Sequence, residues 1–261
     1  MHPEPFEESR RLTGCNVYFA GTGAALETAR GLSFDAAAVE RWQANIREAR
    51  ARLGWPDGAI VVRTHASGAS LAFAAPMDQL YVATEVNEWA WYDALGLRVP
   101  TAGAGDEGEE AVPPHVATFP RDTALAMLQE RAAAEANPAL IALRQAADSH
   151  GVPLLADDDV VSIGAGAHGQ AWTIDALPSA DTVPWEGLRA IPTALVTGSN
   201  GKTTTVRLLG AICRAHGWPA AHSCTDGVFF DGKALETGDF SGPQGARTAL
   251  RQPGAEAAIL E

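Results

Sequence analysis

The sequence predicts an α/β protein: an N-terminal α+β region followed by an incomplete parallel-sheet domain built around a phosphate-binding loop (P-loop). Three observations carry this. "TALVTGSNGKTTTVRLL" runs from a short apolar, β-branched segment through a glycine-rich turn into helix-forming sequence. The first 176 residues alternate helical periods with short apolar runs. With 261 residues, 46% of them hydrophobic, the chain can fill one large core or two smaller ones.

In the first region, "NVYFA" reads as an early strand. Residues 34–53 place Val39, Trp42, Ile46, Ala49 and Leu53 at spacings of three and four, with Asp35 as N-cap and Gly54 as stop. "AIVVRTH" and "SLAFAAP" read as two strands joined by a turn around Ala66–Gly68, and "DQLYVATEVNEWAWYDALG" as a helix. Trp42, Trp89 and Trp91 fall on apolar helical positions and are read as core. Residues 101–115, "TAGAGDEGEEAVPPH", read as an exposed loop. Helices resume at "DTALAMLQERAAAEA" and "ALIALRQAADSHG", followed by short strands "VPLLA" and "VVSIG". The Pro- and Ser-containing stretch after them reads as a linker, which divides the chain into residues 1–176, a linker at 177–190, and residues 191–261.

The formal net charge is −13, which repels nucleic-acid phosphates and anionic lipid surfaces, so neither is an expected partner. The N-terminal "MHPEPFEESRR" lacks the basic-then-apolar order of a signal peptide, and no run approaches the roughly 18 apolar residues of a membrane helix. Cys15, Cys213 and Cys224 are odd in number and form no C-x-x-C pair. A cytoplasmic protein is expected.

The chain has 17 arginines and only two lysines, and one of the lysines, Lys202, sits in the glycine turn. "TALVTG" reads as a buried strand and "KTTTVRLLGAICRAHG" as a helix closed by Gly217, with Gly198, Ser199, Asn200 and Gly201 forming the turn between them. Such a turn at a helix N-terminus points backbone N–H groups at an anion and adds the helix dipole. A lysine brings a compact mobile charge to β- and γ-phosphates, and the hydroxyl after it, Thr203, can ligate Mg²⁺; arginine's planar fork does not substitute. The turn with Lys202, Thr203 and Thr204 therefore reads as the cradle for ATP. The spelling is shortened: two residues, not four, separate Gly198 from the Gly201-Lys202 pair.

"VTGSNGKTTTVRLL" resembles the ATP-binding loop of the Mur ligase superfamily. "TDGVFFDGKALETGDFSGPQGARTALRQPGAEAAILE" is similar to the Mur-ligase-like module of cyanophycin synthetases, in its Thr-Asp-Gly turn, Gly-Asp pair, Gly-Pro and closing Leu-Glu. The close resemblance covers about residues 191–261, and a weaker one the first half, at "DQLYVATEVNEWAW" and "HGVPLLADDDVVSIGAGAHGQAW". It implies a Mur-ligase central domain in which Lys202 binds phosphate and Thr203 and Glu261 hold Mg²⁺. It also implies ATP-dependent joining of a small-molecule or peptide carboxylate to an amine through an acyl phosphate. The ATP-grasp module of cyanophycin synthetases has no room in the short linker, and the Mur-type C-terminal domain has no counterpart. These 261 residues are thus expected to be part or remnant of a longer protein or to associate as homo-oligomers, with weak Mg-ATP binding and no ligation alone. The rival readings are a nucleotide-binding regulatory or scaffold module, a truncated inactive fragment, and a small-molecule kinase.

Other motifs are discounted. Gly164 to Gly169 spells G-x-G-x-x-G, but the sequence after it has no helical period to face a pyrophosphate with a dipole. Asp157-Asp158-Asp159 reads as a solvated turn, and His216, His222 and Cys224 as weak evidence for zinc. Thr225-Asp226-Gly227 reads equally as a plain turn and as a substrate-side element.

Overall fold

A computed structural model describes residues 4–99 and 115–261, and nearly all of the expected 101–115 loop lies outside the described residues. The chain is mixed α/β and divides into two compact units, residues 1–138 and 139–261.

The first unit carries strands β1 (Phe6–Leu12), β2 (Gly23–Thr28), β3 (Ile60–His65) and β4 (Gly68–Ala74), paired antiparallel in the order β1-β2-β4-β3. Three helices accompany them, α1 (Ala36–Leu53), α2 (Leu80–Ala94) and α3 (Arg121–Glu135). α1 begins and ends where the sequence places it: Asp35 accepts from the Ala38 N–H, and Gly54 closes the helix in the left-handed region. Alternate residues of β2 and β4, including Leu26, Leu71 and Phe73, meet Trp42, Ile46, Trp89 and Trp91 in one core. Asn87 links three elements inside it: its carbonyl accepts from Trp42 Nε1 at 2.9 Å, and its amide donates to the Leu71 carbonyl at 3.0 Å. Both polar groups are thereby satisfied without water.

"NVYFA" is not a strand. Asn16 Oδ1 accepts from the backbone N–H groups of Tyr18 and Phe19, and Gly21 takes a positive φ, so local side-chain bonding outcompetes an extended ladder. Tyr18 and Phe19 instead pack on Leu12, Ala25 and Ala72, the other face of the sheet.

The second unit opens with α4 (Pro138–His150) and an antiparallel sheet of β5 (Leu154–Ala156), β6 (Val160–Ile163) and β7 (Gln170–Thr173). Three short 3-10 turns come next, at Ile174–Ala176, Ala180–Thr182 and Trp185–Gly187. Then come β8 (Thr193–Leu195), α5 (Lys202–His216), β9 (Ala220–Cys224), β10 (Gly227–Phe230), β11 (Lys233–Thr237), α6 (Pro243–Leu250) and β12 (Ala257–Leu260).

The five strands β11-β10-β9-β12-β8 form one mixed sheet. β12 runs parallel to both β8 and β9, while β10 and β11 are antiparallel hairpin additions, so the wholly parallel sheet expected from the sequence is corrected to a mixed one. The Thr225–Gly227 turn is short enough for β10 to fold straight back on β9, which removes any need for a helical crossover there. β8 is the edge strand and exposed throughout, with Leu195 75% accessible, so it is not the buried strand its apolar run suggests. Leu208 and Ile212 of α5 are also exposed.

The G-x-G-x-x-G run is a structural turn. Gly164 and Gly166 have φ of 75° and 54°, and a Cβ on Gly166 would lie 2.0 Å from the Ala255 carbonyl oxygen. The run leads into strand β7, not into a helix. Asp157 is part-buried and not simply solvated: it accepts from Arg251, and Arg247 Nε lies 3.6 Å away. Burial opposes its charge, but hydrogen bonds from Arg251 and the Val160 N–H, with the Arg251 charge, hold its carboxyl below the usual range.

These contacts predict that Gly166→Ala destabilises the second unit by about 2 kcal/mol or more, through strain and collision. Gly187→Ala, whose Cβ would meet nothing within 4 Å, changes little. Thermal denaturation of the two variants checks this.

Candidate functional site

The turn at Gly198–Gly201 connects β8 to α5. Gly198 and Gly201 have φ of 145° and 77°, backbone angles that side chains resist. No side chain caps α5. Its first free intrahelical bond is Thr205 N–H to the Gly201 carbonyl, so the N–H groups of Lys202, Thr203 and Thr204 have no partner within the helix. Together with the macrodipole, they make this turn favourable for an anion.

β12 delivers a carboxylate to the same place. Because it is inserted between β8 and β9, the residue after it, Glu261, emerges beside the turn, and its N–H donates to the Ser223 carbonyl at 3.1 Å. The Glu261 side chain is 1% exposed. Thr203 Oγ1 donates to Glu261 Oε2 at 2.8 Å, and Lys202 Nζ lies 3.8 Å from Oε1. Lys202, Thr203 and Glu261, separated by up to 59 positions, are thus neighbours. Ser199 and Asn200 lie on the same turn, and Thr204 in the first turn of α5.

One group that the motif alone leaves undecided also reaches the site, and the residue after it pairs with α5. Thr225 Oγ1 is 2.9 Å from Thr203 Oγ1, and Arg207 on α5 pairs with Asp226 at 3.1 Å. The register of β9 against β12 puts the Thr225 turn at the same sheet edge as Glu261, a placement that requires the strand order.

α5 is seated from beneath by His222. Its ring stacks on Phe229 at 4.9 Å between centroids, and a Cβ on Gly210 of α5 would lie 2.9 Å from Nδ1. Glycine at position 210 is therefore what lets the helix close over the imidazole. His222 is buried and its Nδ1 has no hydrogen-bond partner. Among the described residues no group of three His, Cys, Asp or Glu is arranged to hold a metal ion. Among them, too, no helix is long and apolar enough to cross a membrane.

A tight glycine turn, a helix start with N–H groups unpaired within the helix, a lysine, a hydroxyl and a sequestered carboxylate meet at one edge of an α/β sheet. Comparison with known proteins places part of the chain more narrowly. The cyanophycin synthetase of Synechocystis sp. (strain ATCC 27184 / PCC 6803 / Kazusa) is 46% identical over 71 residues, 27% of this chain and 8% of that protein. The cyanophycin synthetases of Trichormus variabilis and Nostoc sp. are each 44% identical over 78 residues, 30% of this chain and 9% of theirs. The resemblance to cyanophycin synthetases is therefore real and partial, and the chain spans less than a tenth of the length of the curated relatives it matches. No protein-family model matches the chain.

Burial, with the charges of Arg207 and Arg214, lowers the His222 pKa. An imidazole held neutral in the fold contributes stability above its unfolded pKa, about 6.5, and that contribution is lost as the pH falls below it. His222→Leu is expected to flatten the loss of stability between pH 7.5 and 5.5, measured by denaturant unfolding. An identical loss in parent and variant would contradict the assignment.

Proposed function

We propose that the second unit binds Mg-ATP and serves ATP-dependent joining of a carboxylate to an amine. The observation that supports this reading is the convergence of Lys202, Thr203 and Glu261 on the N-terminus of α5. On this reading the catalytic core is a phosphate-loop domain of Mur-ligase type at residues 191–261, with residues 1–176 as the N-terminal region and 177–190 as the linker, although residues 139–190 pack into the same compact unit as that core.

The backbone of Gly198, Ser199, Asn200 and Gly201, with the N–H groups of Lys202, Thr203 and Thr204, holds the phosphates. Lys202 balances charge on the γ-phosphoryl group as it moves to the substrate carboxylate. That transfer releases ADP and leaves an acyl phosphate; the amine then forms the amide bond and inorganic phosphate departs. Thr203 Oγ1 and Glu261 Oε2, 2.8 Å apart, are the hard oxygen donors that suit Mg²⁺, which when bound neutralises phosphate charge. Before the metal arrives, Lys202 and the Thr203 hydroxyl compensate the buried Glu261 carboxylate. The substrates on this reading are a small-molecule or peptide acid and an amine, with neither nucleic acid nor membrane as partner. A cytoplasmic setting suits ATP consumption and the three free cysteines.

Lys202→Arg tests the cradle while keeping the charge beside Glu261. It is expected to weaken Mg-ATP binding at least about tenfold in calorimetry, because a planar fork does not fit where a compact ammonium sits, with little change in the nucleotide-free thermal midpoint. Equal affinity in parent and variant would remove the assignment. Product analysis addresses the chemistry: ligation releases ADP and phosphate only when acid and amine are both present. A kinase leaves phosphate on a stable acceptor, and a binding module turns over nothing.

A further inference from the structure

The second unit has another concave site, remote from Lys202. An open cleft of about 600 Å³ is lined by the end of α4 at His150, by residues 167–170 after the glycine turn, and by residues 183–188. That volume suits a small organic ligand. The two sites lie at opposite ends of the same strands. The phosphate-binding turn follows the C-terminal end of β8, whereas the glycine turn bonds to residues preceding β8 and β12: Ala165 N–H to the Arg189 carbonyl, and Ala167 N–H to the Ala255 carbonyl.

Three features of the cleft specify a ligand. The first is an aromatic platform: the rings of His150 and Trp185 are stacked with their planes nearly parallel, 3° apart, and centroids at 4.5 Å. Trp185 is fixed there, since its Nε1 donates to the Ala180 carbonyl at 2.8 Å. His150 is exposed, so the stack presents an accessible end on which another flat ring can lie. The second is an uncompensated cation. Arg189 is not itself part of the lining but follows the lining Leu188, and its Nη2 lies 2.6 Å from Nε2 of the lining His168; among the described residues no carboxylate pairs with it. In a chain of net charge −13 such a guanidinium is a local attractor for an anion. The third is rigidity. The glycine turn behind the cleft is held by the Ala165 and Ala167 N–H bonds to the Arg189 and Ala255 carbonyls, and it has no room for side chains on Gly164 and Gly166. Glu186, the one carboxylate among the described residues lining the cleft, stands ready to accept a ring N–H or amino group.

We infer that this cleft binds a small planar aromatic anion, its ring extending the His150–Trp185 stack and its acidic group held by Arg189. The acid could be a phosphate, as in a nucleoside monophosphate, or a carboxylate, as in an indole acid. The chemistry recognised is the same. The site is separate from the proposed ATP cradle and does not depend on the ligase reading.

The test uses the full chain in EDTA, with AMP and indole-3-acetate as probes and adenosine and indole as their uncharged counterparts. Binding is followed by calorimetry. At least one acid is expected to bind saturably below about 5 mM, with its uncharged counterpart at least about tenfold weaker. Which acid binds decides between the two sources. Arg189→Gln is expected to weaken that acid by about tenfold or more, and His150→Ala to weaken it as well, while Lys202→Arg leaves it unchanged. Both side chains of the first two variants are exposed, and circular dichroism confirms that they fold. The inference is overturned if neither acid saturates below about 5 mM, or if the uncharged compounds bind equally well. It is also overturned if affinity follows Lys202 and ignores Arg189, since AMP would then be occupying the phosphate-binding turn.

Discussion

Everything in the second unit hangs on the parallel pairing of β12 with β8 on one side and β9 on the other. A strand paired along both edges satisfies its backbone completely, and all four of its residues are buried. That position is also the only one from which Glu261 can stand beside Thr203, because the carboxylate's place is set by the strand and not by its own side-chain freedom. Two hydrophobic clusters of the unit divide along the same strand. Ala257 and Ile259 face Val206 under α5, whereas Ala258 and Leu260 face Ala249 of α6. A one-residue slip of β12 would exchange these faces and withdraw the carboxylate at once.

The site is one of opposed tendencies held in balance. The Glu261 side chain is 1% exposed, and the two groups beside it are a donor hydroxyl and a part-exposed ammonium. Local rigidity comes from unusual backbone at Gly198 and Gly201 and from the seating of α5 on His222 through Gly210. The cleft at the other end of the sheet is built on different terms. Its walls are stacked rings and the segment after the glycine turn, and Arg189 is the cation bonded to its lining His168.

Much of this was legible in the sequence, for physical reasons that differ by element. The helix at 36–53 declared itself through its apolar period, its Asp35 cap and its Gly54 stop, all of which are local. The turn before Lys202 was legible for the same reason, since a strand-to-helix turn with two glycines at positive φ is made of consecutive residues. Glu261 was found by resemblance and by its place after an apolar run. Thr225, by contrast, reaches Thr203 only because β9 and β12 are neighbours, and no local pattern encodes a strand order. "NVYFA" misled because its alternation matches a strand while Asn16 and the glycines around it favour a turn. β8 misled in the opposite sense: its composition is that of an interior strand, but it stands at the sheet's edge. The cleft beside Trp185 rests on contacts between residues 35 positions apart, beyond the reach of motif reading.

The order of the strands also governs the order of assembly. β8 and β9 are both made before β12, yet they do not touch each other; the strand that joins them is synthesised last of the three. Until residues 257–260 leave the ribosome, both strands present unpaired edges and α5 has only half a floor. Loop closure over more than 60 residues then brings β12 in beside β8, a long-range step that makes folding of this unit slower than its helices alone would require. The glycine turn and Glu261 therefore come together only after β12 has docked between β8 and β9, and a nascent chain holds the turn without the carboxylate until then.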